Sequence, residues 1–314
     1  MTVLQTSGIV LPKSVATVIS GKAKDASTIA ALSPSKPEIF ADESYLVFSG
    51  ASEAEVVAEG SAKSSYDQSL TPVVANRVTI QTTTRVSNQL KWADEDNQLE
   101  IIAAIQEDQA YALARALDYV VYHAINPKSG QALGGYTALT ASSGVNKVYL
   151  GADLASATDA QLIAAIDSMA DVTNETYDIN GVGLSKGYAN ALRKIRVSST
   201  MNRMYPEIPL NLNIGTLEGI PAATSSTVNG ALAQTPTGVL GVMGDFSKIK
   251  WGLVRDMHAE LIEYGDPDNA GDLKRYNQVA YRTEAVLAYA IVDPAAFAVL
   301  YAGTKPADTD TDTE

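Results

Sequence analysis

Between Gln98 and Ile125 the chain reads QLEIIAAIQEDQAYALARALDYVVYHAI, with apolar residues at Leu99, Ile102, Ile105, Leu113, Leu117, Val120 and Val121. Steps of three and four, or their sums, place these side chains on one face of a helix. Alanines and strong helix formers fill the gaps, and neither Gly nor Pro interrupts. Asp94, Asp96 and Asn97 supply candidate caps and favourable charge at the start. Asn126-Pro127 stops the helix, because proline disfavours a helical residue before it. At roughly 1.5 Å per residue the helix would be about 42 Å long, against a globular average of about 11–12 residues. The pattern predicts a long strut. An ordinary core helix would carry the same stripe, so this stretch alone leaves the two open.

The rest of the pattern is mixed. Residues 1–37 are polar and rich in small residues, with Pro12 and Pro34, and read as an extended arm with a short helix at most. A strand is expected around Tyr45–Phe48. Residues 50–75 set Glu53, Glu55, Glu59, Lys63 and Asp67 among Ser, Ala and Gly, with Val56 and Val57 as a close apolar pair. This reads as a long polar hairpin that cannot bury its own face, a kind of loop that is usually functional or disordered. Arg77 to Trp92 alternates and is rich in Thr and Val, so strands are predicted. Further helices are predicted over Asp159–Val172, with Thr158 or Asp159 as cap, and over Ser185–Ile195, capped by Ser185. Asp245–Glu263 and Tyr276–Val292 read as long strands joined by a polar tip, Gly265–Asp272. Residues 304–314 form an acidic tail expected to be disordered.

Composition narrows the function classes. The 314 residues, 46% hydrophobic and 19% charged, suffice for a sizeable core. No run approaches the roughly 18 consecutive apolar residues of a membrane span. The first residues lack the basic-then-apolar order of a signal peptide. Cysteine is absent, which excludes disulfide frameworks, thiolate zinc sites and cysteine nucleophiles. The net charge is −13, with Asp308, Asp310, Asp312 and Glu314 contributing from the tail. Such a chain is poorly suited to charge-driven nucleic-acid binding. An acidic surface does suit the wall of a container to which nucleic acid must not adhere.

Candidate chemistry is sparse. His123 and His258 lie far apart, and neither belongs to a metal-ligand pattern. His123 ends a helix, where a cation suits the dipole. Asp266, Asp268 and Gly271 fit positions one, three and six of a calcium loop. The fit fails at Ala270, the fifth position, and at Asn277, where a bidentate Glu is needed. A solvated loop is the better reading. Asn174-Glu-Thr176 matches a glycosylation sequon without any sign of secretion. No catalytic, cofactor or metal set emerges. An arm, a long hairpin and a long thin helix are instead features that one subunit cannot satisfy, which points to an assembly protein.

Several short motifs then fall in a meaningful order. They are Glu59-Gly60-x-x-Lys63-x-x-x-Asp67, Thr79–Leu90 with Val86-Ser87, Leu217-Glu-Gly219-Ile220-Pro221, and Val242-Met-Gly244-Asp245-Phe246. Arg282-x-Glu284 and Asp293-Pro294-x-Ala296-Phe297 follow. From about Val57 to Ala302 the chain resembles the major capsid proteins of tailed double-stranded DNA bacteriophages, the Hong Kong 97-like fold. The motifs resemble, in turn, that family's extended loop, the strand entering its spine helix, its axial-domain strand, the return to its peripheral domain, and its closing strand. The resemblance implies an α+β, L-shaped subunit. Residues 38–127 and 242–303 would form the peripheral domain, with extended loop 50–75 and spine helix 98–125, and residues 128–241 would form the axial domain.

By the same resemblance, pentamers and hexamers of the chain would enclose phage DNA without sequence-specific binding. A scaffold would be a separate protein or dispensable, and portal and decoration proteins would be further partners. The expected intersubunit contacts are Val56, Val57, Glu59, Lys63 and Asp67 on the loop, and Asp266, Asp268 and Asp272 on the tip. No cofactor is implied. Some family members begin with a scaffold-like domain, whereas this chain is expected to begin at the arm. Some cross-link a loop lysine to a neighbour's asparagine. Here Lys63 is the only lysine between Gly50 and Leu90 and precedes Asp67, so no cross-link is expected. An encapsulin-like compartment and an α+β enzyme with an unrecognised site are the alternatives.

Overall fold

The computed structural model describes residues 27–33, 44–49, 54–57, 61–63, 65, 69–97, 101–174, 176–197 and 201–306. The predicted strut is helix α3, Ile101–His123, of 23 residues and so about 35 Å long. Leu113, Leu117, Val120 and Val121 are buried, as the stripe predicts. The far boundary falls short of the expected residue 125. Residues 98–100 lie outside the described residues. Asp94 caps the helix start, accepting from the amides of Ile101 (2.8 Å) and Ile102 (3.3 Å). At the far end Ala124 has φ 49°, and Ile125 leaves the helix to bridge Ala132.

One correction concerns Asn88–Trp92, expected as strand. It opens helix α2, Asn88–Asn97. Ser87 Oγ accepts from Leu90 N at 3.3 Å, a capping contact that begins a helix where the alternation alone would have continued a strand.

Strands β3 (Asn76–Ser87), β9 (Ile249–Ile262) and β10 (Gln278–Ile291) form an antiparallel sheet with β10 in the centre. At about 3.3 Å per residue the 14-residue strands span about 46 Å. The helix α3 is fastened to this sheet by Gln109, which is buried. Its amide donates to Tyr281 O and Thr84 Oγ1, both at 3.0 Å, and accepts from Thr283 Oγ1 at 2.7 Å. Ile101, Ile102 and Ile105 pack beside Val86, Leu90, Val279 and Tyr281.

A second, mixed sheet has the order β4-β11-β8-β5-β7-β6. Its strands are β4 (Asn146–Tyr149), β5 (Gly181–Leu184), β6 (Thr216–Leu217), β7 (Ile220–Thr224), β8 (Val239–Gly244) and β11 (Phe297–Tyr301). Along β11, Ala298 and Leu300 face one core with helices α4 (Asp159–Asn174) and α5 (Lys186–Lys194). Phe297 and Val299 face the other core, with the end of α3. The alternation is that of a strand buried on both faces. Both helix caps match the sequence reading. Thr158 and Gln161 form a reciprocal capping pair, and Ser185 accepts from Tyr188 N. The L-x-G-x-P motif is a two-residue hairpin. Glu218 (φ 49°) and Gly219 (φ 85°) both take positive φ, as a type I′ turn requires.

The expected division at 241/242 falls inside β8. Residues 297–301, which the resemblance places in the peripheral domain, lie in the six-stranded sheet. Long-range pairing with β4 and β8 decides this, and no local pattern in FAVLY reports it. The third sheet is a hairpin of β1 (Ser44–Ser49) and β2 (Ser69–Val74). The first helix, α1 (Thr28–Leu32), is the short helix allowed for in the arm.

Candidate functional site

The surfaces available for assembly begin at the β1–β2 hairpin. Its register closes at Ser49↔Ser69. The loop is thus shorter than 50–75. Residues 69–74 are strand, with Pro72 opposite Leu46 in a two-stranded ribbon that has room for a proline edge. Val56 is 100% exposed, and Glu55 and Lys63 are exposed too, while Val57 is half-buried. A bare valine on a protruding loop is apolar surface that its own subunit does not cover. Glu59 and Asp67 lie outside the described residues.

At the other end of the long sheet, the tip between β9 and β10 is held from within. Arg85 reaches it from β3. Its Nη2 pairs with Asp266 Oδ1 at 2.8 Å, its Nε donates to Asp268 Oδ1 at 2.8 Å, and its Nη1 donates to Gln278 Oε1 at 3.3 Å. Arg282 Nη2 donates to Pro267 O at 2.7 Å. The Arg85 side chain is nearly inaccessible, and its guanidinium holds the Asp268 carboxyl below the usual carboxylate range. Asp266 also accepts from the amides of Ala270 and Gly271, closing the turn. Asp272 accepts from Arg275 N at 2.9 Å.

The calcium-loop pattern therefore resolves into a turn centred on a guanidinium. Among the described residues, no group of three or more candidate ligands could hold a metal ion. The carboxylates expected to meet neighbours spend much of their bonding capacity inside the subunit. Beside the exposed Asp266 and Asp272, the tip turns aromatic and cationic groups outward. Tyr264 (69% exposed) lies under Lys274, 4.5 Å from the ring centroid, and Tyr276 (54%) lies beside Arg275. Sequence reasoning missed these tyrosines. Their position flanking a polar turn was the available signal.

In the region of α5 the chain exposes Met201, Met204 and Leu210, and Arg196 and Arg203 are paired by a backbone bridge. His123 ends α3, and burial works against the cation that the helix end suits. Burial lowers its pKa, and Nε2 sits 3.0 Å from Val228 O and 3.2 Å from Thr227 O, a geometry in which it donates. The ring borders a cavity of about 380 Å³ that also meets Thr140, Gln234, Thr237 and Tyr301. His258 lies in β9 opposite Glu284 in the ladder.

Comparison with known proteins gives these surfaces a context. The phage capsid family model matches residues 7–301. A solved structure from Mycobacterium phage Ogopogo is 32% identical, with a TM-score of 0.79 over 96% of this chain and 100% of that one. One from Gordonia phage Cozz is 27% identical, with a TM-score of 0.74 over 94% and 92%. A chain described as the capsid of an empty GTA particle shares the fold at 14% identity, with a TM-score of 0.61 over 95% and 97%. No curated protein matches the chain. The long helix on a three-stranded sheet, the buried mixed sheet and the protruding hairpin are the Hong Kong 97-like architecture, and this chain belongs to the phage capsid family, as a structural subunit of a phage capsid.

Proposed function

We propose that the chain assembles as pentamers and hexamers into a closed icosahedral shell around double-stranded DNA. The three-stranded sheet with α3 forms the peripheral part of an L-shaped subunit, and the six-stranded sheet with α4 and α5 forms most of the axial part. The observation that carries this reading is the β1–β2 loop. It leaves the subunit at a closed ladder and presents Val56 bare to solvent. In a closed shell each copy's loop lies across a neighbour, which removes that apolar surface from water. The exposed Tyr264 and Tyr276 supply a second contact, near three-fold axes, of the residue type that dominates protein interfaces. Chemistry at this surface is burial and symmetry. The acidic chain leaves packaged DNA free to slide.

Negative-stain microscopy and sedimentation of the purified protein test the reading. Closed shells from the full chain are expected. A protein that remains a monomer at all concentrations overturns it.

A further inference from the structure

The described part of the arm is short. It is the segment from Ser27 to Ser33, with the five-residue helix α1 inside it. A helix of that length has no stability of its own in water. It exists because of what it touches. Ser27, Thr28, Ile29 and Ser33 are all buried, and Ile29 is fully buried in the core that also holds Leu117, Tyr122 and Val228.

The partner that organises the segment is Asp118 of α3, whose side chain is inaccessible to solvent. Its two oxygens take five donors. Oδ1 accepts from Ser27 Oγ at 2.5 Å and Ile29 N at 3.2 Å. Oδ2 accepts from Thr28 N at 2.8 Å, Thr28 Oγ1 at 3.0 Å and Thr227 Oγ1 at 2.5 Å. Four of the five come from the arm. The fifth comes from the loop after β7, on the six-stranded sheet. On the other side Ser33 Oγ donates to Ile249 O of β9 at 2.8 Å, and Trp251 Nε1 donates to Ser33 O at 3.1 Å. One short segment thus touches the long helix, the long sheet and the region of the buried sheet. A carboxylate can remain buried only when its lone pairs are satisfied, so the cleft fits a segment that offers two hydroxyls and two adjacent backbone amides.

We propose that the cleft around Asp118 is a docking site for the arm segment Ser27–Ser33, and that docking there is a latch that fixes the angle between the two sheets and must be closed for shells to form. The second half of the proposal rests on the capsid reading above. The first half does not. The segment is covalently tied to β1 only through residues 34–43, a stretch that can span roughly 33–36 Å when extended. Undocking therefore requires no break in either sheet. The carboxylate is specifically required. Each of its oxygens accepts one backbone N–H that cannot rotate away, from Ile29 on one side and Thr28 on the other. In Asp118→Asn either orientation of the amide turns its NH₂ against one of them.

Hydrogen exchange and sedimentation of the full chain test the latch. Amides of residues 28–33 are expected to be protected in the unaltered protein. In Asp118→Asn they should exchange at least roughly tenfold faster, while β10 stays protected, because local opening need not involve the global core. The same variant should sediment as subunits or capsomers with unchanged circular dichroism. The double variant Ser27→Ala/Thr28→Val lies on the arm and leaves Asp118 in place. It should accelerate the same amides and spare β10. Unchanged exchange of residues 28–33 in Asp118→Asn overturns the docking. Loss of β10 protection in the arm-side variant also overturns it, since the segment would then be part of the cooperative core. Closed shells that carry a fast-exchanging segment overturn the link to assembly. If the unaltered chain forms no shells, the capsid reading fails, and the exchange comparison still decides the docking.

Discussion

Two residues carry much of the subunit's internal order, and each gives a measurable consequence. Leu117 is 3% exposed and sits where α3 enters the core shared by both sheets. Leu117→Ala is expected to cost about 2–5 kcal/mol, read as a lower denaturation midpoint, because the surrounding side chains close the cavity only in part. Leu117→Asp should give insoluble protein. Soluble, assembling Leu117→Asp would show that the stripe is not buried in solution. Arg85 holds the tip, so Arg85→Met leaves the half-buried Asp268 without its guanidinium partner and should lower the denaturation midpoint. Its pH dependence follows from the sign of the shift. Asp268 has a folded pKa below its ordinary value of about 3.8. The unfolded chain therefore takes up protons first as pH drops, and stability present above that value is lost as pH falls through the lower, folded one. The difference in midpoint between the unaltered protein and Asp268→Asn should be constant at neutral pH and shrink below about pH 4. A difference that persists undiminished at pH 2 would refute the ion-pair account.

At the scale of elements, the β1–β2 loop is separable from the fold. The ladder from Ser44↔Val74 to Ser49↔Ser69 is complete without it. Replacing residues 51–67 with a short Gly/Ser turn should leave circular dichroism and thermal unfolding essentially unchanged and abolish shells. A modest loss at one contact is repeated at every symmetry-related position. Closed particles from the shortened chain would mean that the loop is not the clamp between subunits, and unfolding would place it in the core. The loop also shows where local reading stops. Its polar composition announced a projection. Its end at Ser69 was hidden, because Pro72 argues against a strand unless that strand is an edge. In α2 the opposite happened, where a cap at Ser87 ended an alternation that looked continuous.

For the whole molecule, a shell held by non-covalent area alone is expected. Lys63 is exposed on the loop and is the only lysine in that region of the sequence. Particles boiled in detergent should therefore run as one band at the 33.1 kDa chain mass. A ladder of high-mass species would reveal covalent links between subunits.

Periodicity and capping act within a few residues, and they were legible. The stripe of α3, the Thr- and Val-rich β3 and the Thr158 cap stand in the sequence because each needs only neighbours in the chain, whereas the motif given as a strand at Leu217–Pro221 is a turn at Glu218-Gly219. Only the tertiary structure decided the pairings between distant segments. Asp268 meets Arg85 across 183 positions and Asp118 meets Ser27 across 91. Phe297–Tyr301 joins the six-stranded sheet and not the long one. A carboxylate reads the same in sequence whether it faces water, a neighbour or a guanidinium. Which of these it faces depends on how the apolar faces pack, and that is a property of the assembled core.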